Sequence, residues 1–139
     1  MKLGLEESRQ RLTQSRVARL ATADTDGLPH VVPITFAVND DYLFFAIDHK
    51  PKTTWNLRRL RNIRDNPRVA VLADHFESDW ENLWWVRADG KATVYQGESD
   101  RLHGIELLKQ KYSQYVETPP RGPVVAVKVD HWSGWAASG

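Results

Sequence analysis

The 139-residue chain contains no cysteine. That absence excludes disulfides, a thiolate nucleophile and a cysteine-ligated zinc. Charge of one sign is also lacking, with a formal net charge of only +1. No run approaches the roughly 20 apolar residues that span a bilayer, and the opening MKLGLEESRQRLTQS has no apolar signal core. The expectation is a soluble cytoplasmic protein with no membrane partner, built as a single domain over 1–139. Gly-x-Ser-x-Gly, Walker A and Gly-x-Gly-x-x-Gly patterns are missing too, which removes sequence support for hydrolase, P-loop and Rossmann chemistry. The five histidines, His30, His49, His75, His103 and His131, never fall three or four residues apart. No metal site is expected from them.

Against this background one segment stands out. Ile47 to Pro67 reads IDHKPKTTWNLRRLRNIRDNP and gathers Lys50, Lys52, Arg58, Arg59, Arg61 and Arg64 against only Asp48 and Asp65. Concentrated positive charge on a near-neutral protein suits an anionic partner, and a helix start following a strand is a ready phosphate site. Lys50, Lys52, Thr53 and Thr54 would supply cations and hydroxyls there. The arginines read equally well as an ordinary solvated face. Nucleic acid is not the expected anion. The stretch Asp74 to Glu81 is acidic, and the isoelectric point stays below the value of about 9 usual for such domains.

The remaining pattern indicates mainly β structure. Arg16–Ala23, Leu28–Val38, Tyr42–Ile47, Arg68–Ala73, Leu83–Arg87, Lys91–Tyr95 and Val124–Val129 read as strands. Turns are predicted at Asp24–Gly27 and Ala88–Gly90, and Pro33 demands an edge position or a bulge. Helices are predicted over Leu3–Gln14, Thr53–Asp65 and from Ser99 to about Tyr112. The fold class is therefore α+β, a six- to seven-stranded, mostly antiparallel barrel with short helices. Six tryptophans accompany a negative mean hydropathy. Neighbouring Trp84 and Trp85 must face opposite sides of their strand, so one leaves the core for a dimer interface or a flat ring ligand. Packing under the acidic loop is the plainer alternative.

Several stretches resemble a known family. They are Arg19–Leu20–Ala21–Thr22, Asp26–Gly27–Leu28–Pro29–His30–Val31–Val32–Pro33–Ile34, Leu43–Phe44–Phe45, Lys50–Pro51–Lys52, Asn56–Leu57 and Asn66–Pro67–Arg68–Val69. Together they are similar to the pyridoxamine 5′-phosphate oxidase-like, FMN-binding-like split β-barrel superfamily. The short chain and Leu83–Trp84–Trp85–Val86–Arg87 resemble its actinobacterial deazaflavin-dependent branch, which uses coenzyme F420. The resemblance implies a homodimer with the cofactor at the subunit interface, transferring hydride to or from a small-molecule substrate. Val32, Pro33, Ile34 and Thr35 would contact the ring, flanked by Ile47 and Asp48. Lys50, Lys52 and Thr53 would hold the phosphate, supplemented by Arg58. His30 or His49 would tune the ring, and Trp84, with Trp132 and Trp135, would cover it from the partner chain. FMN is the alternative cofactor on the same fold, and a non-enzymatic cofactor or haem carrier is the alternative class. Two departures accompany the resemblance. The segment from Lys52 to Asn66 is longer than usual by about two helical turns. The Arg-x-x-Leu-Lys pattern and C-terminal substrate-binding residues of true pyridoxamine phosphate oxidases are missing, which argues against that particular activity.

Overall fold

Apolar alternation builds most of the strands in the computed structural model, which describes residues 1–47 and 57–138. Ala18–Ala23 (β1) turns Ala18, Leu20 and Thr22 inward, and Pro29–Ile34 (β2) returns antiparallel beside it. The turn between them follows its residues' chemistry. Asp24 Oδ1 accepts from the amides of Asp26 and Leu28, and Gly27 takes φ +84°, where a side chain would be strained. The remaining strands are Ala37–Asn39 (β3), Tyr42–Ala46 (β4), Arg68–His75 (β5), Trp84–Tyr95 (β6) and Val124–Ala136 (β7). Helices are Leu5–Gln14 (α1), Arg58–Asp65 (α2), Glu98–Lys111 (α3) and Ser113–Glu117 (α4), with a 3-10 turn at Trp80–Asn82. None of the described helices is long and apolar enough to cross a membrane.

All neighbouring strands are antiparallel, in the order β2-β1-β5-β6-β7-β4-β3. The two edge strands, β2 and β3, are joined in the chain by only Thr35 and Phe36. Edges that close in sequence force the sheet to curl on itself, which gives a split barrel. Its interior holds Leu20, Phe36, Leu43, Phe45, Val71, Val86 and Val127, with Leu12 of α1 and Leu60 and Ile63 of α2 packed into the same cluster. Outside, α3 covers β4 and the first half of β7, burying Phe44, Val124 and Ala126 against Ile105. The opposite outer face, formed by β2, β1, β5 and β6, carries no helix among the described residues.

Four expectations are corrected. Leu28–Val38 is two strands rather than one, broken where Thr35 and Phe36 turn from one edge to the other. Ala88–Asp89–Gly90 is no turn but the middle of β6, where the register against β7 slips so that Asp130 becomes the extra residue. Gly90 serves close approach: a Cβ there would lie 2.2 Å from the Lys128 carbonyl oxygen. The last strand runs on to Ala136 and takes Trp132 and Trp135 into the sheet. A continuous helix from Thr53 is excluded at Leu57, whose backbone is extended (φ −82°, ψ 149°), so α2 begins at Arg58.

Candidate functional site

The start of α2 breaks the usual rules for a helix end. Leu57 offers no side-chain cap, and the first intrahelical bonds are those that Leu60 and Arg61 donate to its carbonyl. The first turn has no acid and instead carries Arg58, Arg59 and Arg61. Cations at the positive end of the macrodipole disfavour the helix. Burial of Leu60 and Ile63 holds it in place, helped by buried Asn62, which donates to Thr22 Oγ1 on β1 at 3.1 Å. An anion at this end would relieve the local repulsion.

Two buried polar atoms mark the corner. His30 Nδ1 on β2 and Arg59 Nε on α2 are both buried with no hydrogen-bond partner among the described residues. His30 stands opposite Thr22 in the sheet. Its pKa is lowered, first by burial and then by the charges of Arg58 and Arg59, so the imidazole is neutral near pH 7. Burial likewise lowers the Arg59 pKa, yet a guanidinium stays charged. A half-buried guanidinium with an enclosed Nε and a buried ring nitrogen, neither with a partner among the described residues, are costly unless something polar satisfies them. The donor set suits a phosphate or another anionic oxygen group.

The expected site residues fall into distinct places. Asp48, His49, Lys50, Lys52 and Thr53 lie outside the described residues. Arg58 is exposed at the first position of α2, beside His30 and Arg59. Val32 and Ile34 face the barrel core, as does Ile47, which is almost fully buried and donates to the Pro123 carbonyl. Pro33 points outward and is exposed. Pairing only with β1 among the described strands, β2 leaves its other backbone edge free, which is where a proline is tolerated. Trp84 stands at the opposite end of β6, with its ring stacked on His75 and Arg11 poised 5.3 Å from its centroid. Within one chain it is not brought to His30 and Arg58. Its neighbour Trp85 faces outward beside Trp135.

A second cluster, at the β2–β3 break, carries no signal in the local sequence. Tyr112 Oη accepts from the Phe36 amide at 3.1 Å and donates to the Arg16 carbonyl at 2.8 Å. Tyr115 and Thr35 share a hydroxyl hydrogen bond of 2.7 Å. These contacts replace ladder bonds lost where the strand breaks. Beside them Lys111 Nζ sits 3.9 Å from the Phe36 ring centroid, buried and without a hydrogen bond among the described residues. Burial, then the nearby Arg16 charge, lowers its pKa to about 8.

A curled seven-stranded antiparallel sheet, plugged by short helices and with one bare outer face, defines the split β-barrel class that includes flavin-binding proteins. Residues 5–136 match the pyridoxamine 5′-phosphate oxidase family, and the chain belongs to it. A pyridoxine/pyridoxamine 5′-phosphate oxidase of Pelagibacter ubique is 25% identical over 151 residues, covering 94% of this chain and 68% of that protein. Among solved structures, an FAD-binding protein of Mesorhizobium loti has a TM-score of 0.72 at 24% identity, covering 96% and 95% of the two chains. The haem storage protein HutZ of Vibrio cholerae has a TM-score of 0.70 at 19% identity, covering 96% and 95%. At such identities the likeness is one of fold.

Proposed function

We propose that this chain is a homodimeric oxidoreductase that holds a phosphate-bearing flavin, FMN in the first instance, and passes hydride to or from a small organic substrate. The observation that carries this reading is the pair of buried atoms, His30 Nδ1 and Arg59 Nε, without a hydrogen-bond partner among the described residues at the cationic start of α2. Arg59 and Arg58 would pair with the phosphate, and neutral His30 would exchange a hydrogen bond with the cofactor. The sequence adds Lys50, Lys52 and Thr53 just before this helix. The free edge of β2 around Val32 to Thr35 would present backbone groups to the ring, and Tyr112 and Tyr115 would hold that edge in place. The bound flavin supplies the hydride chemistry that no side chain can perform. Around it the protein orients the ring and keeps water from it.

The dimer reading is supported by the bare outer face. Across β2, β1, β5 and β6 the register aligns Pro33, Arg19, Leu72 and Arg87 in one row and Val31, Ala21, Ala70 and Asp89 in the next. Val31 is 60% exposed and Leu72 37%, and with Pro33, Ala21 and Ala70 they make a patch, interrupted by Arg19 and bounded by Arg87 and Asp89, that a second copy would cover.

Coenzyme F420 is the second reading, favoured by the exposed arginines Arg58, Arg61 and Arg64 along one side of α2. They would suit that coenzyme's polyglutamate tail. Titrating the apo-protein with FMN, F420 and haem, followed by tryptophan quenching, separates the cases. Saturable FMN binding that weakens in Arg59→Ala is the expected result. Haem binding without a flavin response would sink the proposal, and F420 binding without FMN binding would move it to the second reading. Flavin binding with no hydride turnover over a broad substrate panel would make the protein a carrier.

A further inference from the structure

Among the described residues of the corner between β2 and α2, only His30 carries a side chain that changes charge near neutral pH. Its place follows from register. His30 pairs with Thr22 across the β1–β2 ladder, so the two side chains leave the same face. Thr22 Oγ1 accepts from Asn62 of α2 at 3.1 Å. Arg59 stands one helical turn before Asn62, on the same side of the helix. The Asn62–Thr22 hydrogen bond thus ties strand to helix and brings the guanidinium to the imidazole. His30 Nδ1 and Arg59 Nε are enclosed there, neither with a hydrogen-bond partner among the described residues. Even the facing Thr22 hydroxyl does not engage the ring nitrogen.

The charges that act on the ring are of one sign. Arg58 and Arg59 bear on it from α2, β1 opposes it with uncharged Thr22, and no carboxylate among the described residues offsets the two cations. Asp24, in the β1–β2 turn, accepts instead from the amides of Asp26 and Leu28, and Asp65 ends α2 away from its cationic start. Burial first, then these two arginines, hold the imidazole below the ordinary histidine range, so in the protein alone it is neutral near pH 7. A phosphate dianion would reverse the electrostatic part. It offsets both arginine charges and offers its oxygens to an N–H donor. An opposite charge at hydrogen-bond range favours the charged form of a histidine by about tenfold or more.

Resting on the flavin reading above, we infer that phosphate binding at this corner is coupled to protonation of His30. The protein alone holds a neutral imidazole, and the complex holds an imidazolium whose Nδ1–H donates to a phosphate oxygen. The proton comes from solvent, so one is taken up as each cofactor binds. His30 then acts as a charge discriminator. A ligand with a dianionic phosphate recruits the proton, and the same ring system without the phosphate does not. Because the complex holds the proton more tightly than the protein alone, affinity falls as pH rises through the pKa of the complex. At the acid end the phosphate loses its second charge near a pKa of about 6, so affinity peaks just above that value.

Calorimetric titration of the wild-type apo-protein with FMN near pH 7, in two buffers of different ionisation enthalpy, counts the protons. Uptake approaching one proton per FMN is expected, with Kd rising about tenfold between about pH 6.5 and about pH 8.5. FMN binding with no uptake and a flat Kd overturns the coupling while leaving the flavin site standing. No FMN binding overturns the reading of the site, and the coupling with it. Riboflavin should bind without uptake, and uptake equal to that with FMN would refute the part given to the phosphate. His30→Gln keeps a hydrogen-bonding side chain that cannot titrate. It should bind FMN without uptake, and uptake that persists there assigns the proton elsewhere. A measurement on wild type alone needs no variant to fold. Of the five histidines, one should show its ring C–H proton NMR signal titrating at higher pH once FMN is bound. If none moves upward, the inference fails.

Discussion

The two outer faces of this one sheet solve the same problem differently. Over β4 and the first half of β7, α3 buries Phe44 to 8% and Val124 to 1% exposure. Over β1, β2, β5 and β6, equally apolar positions such as Val31 and Leu72 stay open. A strand cannot alternate apolar and polar when both faces need cover, and the difference lies in whether the chain supplies that cover itself. The covered face contributes stability to the monomer. The bare face leaves Val31 and Leu72 exposed, the area that the proposed dimer would cover.

Substitutions sharpen this contrast, beginning with the largest effect. Phe44→Ala removes a ring from the covered face and should cost about 3–5 kcal/mol in urea denaturation. A loss under 1 kcal/mol would mean that α3 covers little. Arg59→Ala should leave folding intact and weaken FMN binding by about 1.5–3 kcal/mol, the range for hydrogen bonds to charged groups, read by fluorescence titration. Unaltered affinity would remove the corner from the site. On the bare face, Leu72→Ser should change monomer stability by no more than about 0.5 kcal/mol while abolishing the dimer in sedimentation. Monomer destabilisation equal to that of Phe44→Ala would erase the distinction between the two faces.

The smallest effect concerns pH. Lys111, in the seam beside Phe36, has its folded pKa lowered to about 8 from the ordinary 10.5. Between those values the unfolded chain binds the extra proton, so stability rises with pH across that window. Lys111→Met should therefore stabilise most below pH 8, with its melting-temperature advantage shrinking toward pH 10.5. A constant difference would show that the amine pays no penalty for burial.

Some of the site was legible in residue order and some was not, for a physical reason that one dipeptide illustrates. Asp26–Gly27 and Asp89–Gly90 look alike in sequence. The first makes a hairpin turn because Asp24 hydrogen-bonds its own backbone and Gly27 takes positive φ, both local effects. The second sits mid-strand because the Lys128 carbonyl, far along the chain, approaches where a side chain would stand. The arginines of α2 were visible as charge, but which of them is buried was not. Arg59 separates from Arg58 only when Leu60, Asn62 and Ile63 fix the helix rotation against β1. Tyr112 was unreadable as a clasp, since Phe36 and Arg16 lie 76 and 96 residues away.

The sequence by itself determined what could be built. Alternating apolar runs made strands, Pro33 required an edge, and the lack of cysteine or a catalytic motif removed support for thiolate, hydrolase, P-loop and Rossmann chemistry. Only the tertiary structure decided where His30 and Arg59 sit, how Thr35 and Phe36 join the two edges of the sheet, and which outer face remains bare. Periodicity and turn chemistry act over a few residues and can be read in order. The influence of Arg59 on His30, and the hydrogen bond of Phe36 to Tyr112, depend on distances that the folded chain alone sets.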